Sequence, residues 1–458
     1  MWANGRLQGE FVPTREETVA VSKLGHGVRP VAVWDLPSRL AYSALTARLM
    51  PALPAVGRGR AQWRAFQRAP LEHPGKYVVA SDIAACYQYI DHGLLTEELL
   101  VQTGEHAVVE TVTALLRETG GRAYGLPQQS DASDVLAEAF LARLERALVR
   151  RGLLVARYND DFRFSCGTWS EATRAIEVLA EEARLLGLTA NDMKTVTWGR
   201  TKYEDHLNEA DRLRQEIADE AKIDLTQVDV HPYDDTVVEQ PPDQEDVDLL
   251  GSVRVLERWA SVVGRGNVAM SRKAEHRAVL ELLPWALRTL QAHPDSPANV
   301  LGLCTKILRL ERTLTPAVAA YLVTRHDDAA VLVAFDRLLK AKAYLNGWQT
   351  WWLQQPLARL DGFAFGAGSK ARLGWERNAL TSAEHTPVLR AHAALSLAQH
   401  GVITVDELLA IYSRSSTTVR PVLAAAVALL KPAAPVRTAV TGDSALCLWS
   451  YEWAELLA

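Results

Sequence analysis

The chain has 458 residues, 48% of them hydrophobic, with 50 Lys and Arg against 55 Asp and Glu and a formal net charge of −5. That length outgrows a single hydrophobic core and predicts two or three domains, while 27 Gly and 20 Pro exclude collagen-like and low-complexity classes. No apolar run approaches the roughly 20 residues of a bilayer-spanning helix, residues 1–10 lack the apolar stretch of a secretory signal, and four cysteines without C-x-x-C spacing indicate neither a disulfide scaffold nor a structural zinc site. A soluble, cytoplasmic protein with no membrane partner is expected.

Charge is unevenly distributed. Residues 1–70 carry ten basic and four acidic side chains, a net of +6, and Arg58, Arg60, Arg64 and Arg68 fall within eleven residues that contain no acid. Such a run reads either as a phosphate-facing surface or as a solvated helix face. Residues 76–83, KYVVASDI, form a β-branched apolar run that ends at Asp82. A buried strand that delivers an acid at its end is costly unless the carboxylate meets a cation. Residues 124–148 follow, with a Gly-Leu-Pro-Gln turn and N-cap candidates Ser130, Asp131 and Ser133. The helix after them carries Val135, Leu136, Ala139, Phe140, Leu144 and Leu148 at helical spacing.

The second strand element, LLVARYNDDFRFSC at 153–166, has apolar residues on both sides of Asp160-Asp161, bracketed by Tyr158 and Phe162. Two adjacent acids fit the tip of a tight hairpin, where they serve either a cation or merely an Asx-type turn. An amphipathic helix over 170–186 and GLTANDMKTVTWG complete the series, the latter predicting a strand with Lys194. Carboxylates therefore converge from separate elements of an α+β arrangement. From Ile223 to Leu250 there are nine acids and no Lys or Arg, and HPYDD and Pro241-Pro242 interrupt any helical period. This segment predicts an exposed linker at about 225–248. Beyond it only helical periods recur, in pairs of irregular spacing that suggest stacked helical repeats. Eight of the 13 tryptophans lie there, among them Trp348, Trp351 and Trp352, either as helix–helix core or as an aromatic surface that stacks bases or docks a subunit.

These segments resemble the palm of a reverse transcriptase. SDIAACYQYIDH (81–92) resembles motif A, GLPQQSDASDVLAEAFL (125–141) motif B, RYNDDF (157–162) the Y-x-D-D box of motif C, and GLTANDMKT (187–195) motif D, all in order. Upstream, GHGVRPVAVWDLPSRLAYSAL (25–45) resembles the fingers segment of bacterial members. The resemblance implies an α+β fold in which a reverse-transcriptase fingers–palm domain precedes an all-α HEAT-like helical repeat domain. The corresponding bounds are fingers at 1–75, palm at 76–222, an acidic linker at 223–250 and helical repeats at 251–458.

It further implies an RNA-directed DNA polymerase, a nucleotidyltransferase that uses two Mg²⁺ ions (Mn²⁺ as a substitute) to add dNTPs to DNA. By resemblance, Asp82, Asp160 and Asp161 hold metal with the carbonyl of Ile83. Tyr87 is the steric gate against a ribose 2′-hydroxyl, or else packs in the palm. Gln128 contacts the incoming nucleotide. Lys194 acts on the leaving pyrophosphate, or else is a solvated strand-end lysine. Lys23 and Arg29 neutralise the triphosphate, and Arg58, Arg60, Arg64 and Arg68 meet nucleic acid. Two positions depart from the pattern: Gln129 stands where many members carry Gly, and Asn159 where Ala, Met or Val is common.

A palm followed directly by helical repeats resembles the abortive-infection (Abi) and defence-associated (DRT) reverse transcriptases of bacteria. Membership implies antiphage defence, an RNA template or non-coding RNA, a DNA product, and assembly as a homo-oligomer or with a partner defence protein. Some relatives prime on their own tyrosine, for which Tyr42 in the fingers is one of twelve candidates. Two alternatives stand beside this reading: a template-independent, protein-primed terminal transferase, and a non-catalytic RNA-binding scaffold.

Overall fold

The computed structural model describes residues 13–23, 27–230, 237–240, 242–263, 273–293, 297, 299–325, 328–340, 344–360 and 362–456. The chain divides into two compact units, Met1–Thr18 with Val31–Leu207, and Val19–Pro30 with Asn208–Ala458.

The strands are β1 (Glu17–Ser22), β2 (Val28–Val33), β3 (Tyr77–Asp82), β4 (Leu154–Tyr158), β5 (Asp161–Cys166) and β6 (Val196–Gly199). The helices of this region are α1 (Leu36–Leu49), α2 (Arg60–Arg68), α3 (Cys86–Tyr89), α4 (His92–Thr103), α5 (His106–Gly120), α6 (Asp131–Arg150), α7 (Trp169–Leu185) and α8 (Arg200–Leu225). Strands β1 and β2 pair with each other, and the principal sheet has the order β4-β5-β3-β6, antiparallel throughout. β3 is central and apolar because both its faces are covered: Val78 is 1% exposed and Val79 is fully buried.

Helix α6 buries Leu136, Phe140, Leu144 and Leu148, the spacing of one helical face. Each such side chain contributes roughly 1.5–3 kcal/mol on full burial. Local sequence sets the helix starts. Asp35 accepts from the Ser38 amide at 3.0 Å, Asp91 from Gly93 and Leu94 at 2.8 and 2.9 Å, and Thr168 from Glu171 at 3.2 Å.

The expected linker differs. Helix α8 runs on to Leu225, β7 (Gln227–Val230) pairs antiparallel with β8 (Val237–Gln240), and α9 begins at Gln244. Valines at 228, 230, 237 and 238 supply β-branched residues that the acid count obscured. HPYDD and Pro241 lie outside the described residues. The division between units falls at Leu207/Asn208, inside α8.

The second unit continues with α9 (Gln244–Val263), α10 (Lys273–Ala292), α11 (Asn299–Leu310), α12 (Thr315–Val323), α13 (Ala329–Lys340), α14 (Gly347–Ala358), α15 (Ser369–Thr381), α16 (Pro387–Gln399), α17 (Val405–Tyr412), α18 (Arg420–Leu429), α19 (Ala434–Thr441) and α20 (Ala445–Glu455). Helices pack on the next but one: α10 on α12, α12 on α14, α14 on α16, α16 on α18 and α18 on α20, with a second row formed by α9, α11, α13 and α15. Two rows of this kind are how helix pairs bury a continuous core when they stack. Trp259, Leu283, Val300, Tyr321, Leu353 and Phe363 fill its first part. No described helix is long and apolar enough to cross a membrane.

Candidate active site

Strand register brings the predicted acids together. Asp82 stands directly across from Asp161 in the β3–β5 pair, and Tyr158 across from Asp161 in β4–β5, which leaves Asn159 and Asp160 as a two-residue turn. Turns of that length favour a positive φ at their first residue, and Asn159 has φ 54°. Asn adopts this conformation far more readily than Ala, Met or Val, so the departure in motif C suits the turn. The Ile83 amide donates to the Asp160 carbonyl at 2.9 Å and fixes the turn against the end of β3.

One carboxylate oxygen from each of Asp82, Asp160 and Asp161 lies within 4.8 Å of the others; Asp82 is buried and its neighbours are half-buried. Burial pushes the Asp161 carboxyl up to about 6; Asp82 and Asp160 push the same way, against Arg163 and Lys194. Three hard oxygen donors under mutual repulsion are the donor set that a divalent cation relieves.

Two basic or amide groups already face this charge. Lys194, on a short 3₁₀ turn ahead of β6 rather than on the strand itself, places Nζ 3.0 Å from Asp82 Oδ2. Asn191 Nδ2 donates to the same oxygen at 3.1 Å, and the Asn191 amide donates to the Asp82 carbonyl at 2.7 Å. Sequence reasoning quoted Asn191 inside motif D without assigning it this contact.

Tyr87 donates its hydroxyl to Asp134 Oδ1 at 2.8 Å, and Arg58 both donates to the Tyr87 oxygen and pairs with Asp134 at 2.7 Å. Burial, reinforced by the Asp134 charge, raises the Tyr87 pKa far above its ordinary value, so the phenol stays protonated. Asp134, from the first turn of α6, was missed in the sequence. Arg58, expected among the nucleic-acid contacts, is engaged in this triad instead.

Motif B meets motif A through the Leu126 amide, which donates to the Tyr87 carbonyl at 2.7 Å. Gln128 is half-buried in the same loop. The exposed Gln129 has φ 61°, a conformation that favours Gly, which gives the physical reason Gly suits this position.

Helix α2 presents Arg60, Arg64 and Arg68, at four-residue spacing, on its exposed side. Its other side packs Trp63 and Phe66 on Tyr158, with centroids 5.1 and 5.8 Å apart. Lys23 and Arg29 are exposed in the segment Val19–Pro30, which groups with the second unit and not with the carboxylates. Tyr42 is 2% exposed and shares a 3.0 Å hydrogen bond with Ser133, which closes it to priming.

A central antiparallel sheet that carries three clustered carboxylates, with a lysine on one of them, defines a candidate centre for divalent cations. No protein-family model matches the chain, and no curated protein matches it. Among solved structures the chain is similar to apo telomerase from Candida tropicalis, at 11% identity and a TM-score of 0.32, covering 88% of this chain and 68% of that one. It is similar to telomerase from Candida tropicalis in complex with a TWJ fragment of telomeric RNA, at 12% and 0.30, covering 82% and 66%. It is also similar to an RdRp complex, at 10% and 0.30, covering 99% of this chain and 55% of that one. The chain thus spans about two thirds of the telomerase chains and just over half of the third. These neighbours are nucleic-acid polymerases, but likeness at this level carries no functional argument; the side chains do.

Proposed function

We propose that the protein is an RNA-directed DNA polymerase of bacterial antiphage defence, with fingers over 1–75, palm over 76–222 and HEAT-like repeats over 251–458. The observation that carries the reading is the convergence of Asp82, Asp160 and Asp161 across the β3–β5 register. When bound there, a pair of Mg²⁺ ions would activate the primer hydroxyl and hold the dNTP triphosphate.

The chain's own groups supply the rest. Asp82, Asp160 and Asp161 would hold the metals, together with the Ile83 carbonyl. Lys194 is the proton donor, or charge partner, for the leaving pyrophosphate; its 3.0 Å approach to Asp82 supports a place within reach of that charge. Tyr87, fixed by Arg58 and Asp134, closes the space a 2′-hydroxyl would need. Gln128 lies against the incoming nucleotide, and Arg60, Arg64 and Arg68 follow the nucleic-acid backbone.

Incubation of the purified protein with dNTPs and Mg²⁺, with and without prior ribonuclease treatment, tests this reading. DNA whose sequence copies the bound RNA, and which is lost after ribonuclease, is the expected result. DNA that persists without RNA indicates the template-independent transferase instead. Absence of DNA under every metal and template condition returns the chain to an RNA-binding scaffold.

A further inference from the structure

Helices α14, α16, α18 and α20 of the second unit enclose a cleft of about 710 Å³. Trp351 and Trp352 of α14, His392 of α16 and Trp453 of α20 line it, and Arg359 adds a cation. Helix packing accounts for Trp348, which is 7% exposed, but not for Trp352 and Trp453, which are 44% and 56% exposed.

A second observation is independent of the indoles. Gln354 lines the cleft and is 2% exposed, yet among the described residues neither its Nε2 nor its Oε1 has a hydrogen-bond partner. Buried amides are almost always paired, so one left open on both atoms points to a missing partner that offers a donor beside an acceptor.

We propose that this cleft binds an unpaired nucleobase, adenine best, stacked on the exposed indoles with its edge paired to Gln354. Indole faces stack any base, and a carboxamide matches the adjacent donor and acceptor of adenine. The cleft's volume is that of a small-ligand site, and Arg359 is the group for the attached phosphate. Burial lowers the His392 pKa to about 4, so its ring brings hydrogen bonding without charge. The Gln354 amide is closed to solvent, and pairing requires a wall side chain to move aside. A free nucleotide and a single strand share this chemistry. The site lies in the unit that lacks the carboxylates and stands whether or not they catalyse.

Ultraviolet cross-linking of the full chain to oligo(dA), oligo(dT) or AMP, without divalent metal and with adducts mapped by mass spectrometry, tests the proposal. Adducts on peptides of α14 or α20 are expected, and Trp352→Ala and Trp453→Ala each weaken oligo(dA) binding on the order of tenfold. Gln354→Met removes the preference over oligo(dT). Competition by AMP marks a nucleotide site, and its failure to compete a strand site. Adducts confined to 58–68 and the carboxylate unit, equal affinity for the two oligomers, or unchanged affinity in both folded tryptophan variants overturns the proposal. If an alanine variant loses its helical signal, the adduct map of the unaltered chain decides.

Discussion

Tyr87 is oriented by two partners that lie 29 and 47 positions away in sequence. The Asp134 carboxylate receives its hydroxyl while Arg58 holds both, so removing either partner frees the ring to turn. On the proposed role of Tyr87, Asp134→Ala and Arg58→Ala raise incorporation of rNTPs relative to dNTPs on the order of tenfold, the worth of one hydrogen bond to a charged group, and Tyr87→Ala raises it further. Single-nucleotide extension assays read the ratio; an unchanged ratio in all three removes the gate. The three aspartates were read in the sequence from motifs A and C standing in order on two strand elements; alone, Asp82 reads as a strand-end or N-cap residue and Asp160-Asp161 as an Asx-type turn. Asp134 and Asn191 were not legible, because their roles come from what lies across the fold rather than from any local pattern.

The hairpin that carries Asp160 is tied to α6 by Arg157, whose side chain is 4% exposed and donates to Glu138 at 3.0 Å and Glu145 at 2.9 Å. Arg157→Met leaves two acids facing each other near the core and is expected to cost about 3 kcal/mol, at the lower end of the range for breaking a buried pair. Denaturant unfolding measures the loss. In the second unit, burial raises the Glu376 carboxyl to about 8, well above its ordinary 4.5, with the Ser396 hydroxyl pulling the other way. The fold therefore favours the protonated form. Its contribution to stability is complete below pH 4.5 and is lost as pH rises through about 8. Melting temperature should fall across that window in the unaltered chain, with a shallower fall in Glu376→Gln.

Helix α15 buries Arg372 and Glu376, at 1% and 0% exposure, where a core-facing stripe should be apolar, so its sequence shows no amphipathic period. Helix α12 shows none for the opposite reason, since TPAVAAYLV is too uniformly apolar. The long amphipathic helix α6 was plain, because its apolar residues recur on one face.

Over the whole molecule, the net charge of −5 describes no part of it. The basic excess lies in residues 1–70 and the acids are concentrated at 223–250, while the acids of the site form a cluster suited to cations. Replacing Arg60, Arg64 and Arg68 with Ala should therefore reduce the slope of log affinity against log salt for single-stranded RNA by about 2, given about 0.7 per phosphate contact. An unchanged slope assigns these arginines to structure alone. The change of pattern along the chain, from strands with acids to helices, was legible in the sequence. The division inside α8 was not, because a single continuous helix belongs to both units and carries no break at Leu207.

The most direct test of the central claim is incorporation of labelled dNTPs by the full chain with Mg²⁺ and its co-purifying RNA, set against the Asp160→Ala/Asp161→Ala variant. The account predicts metal-dependent polymer from the unaltered protein and background from a folded variant. Equal incorporation by the two proteins would contradict it.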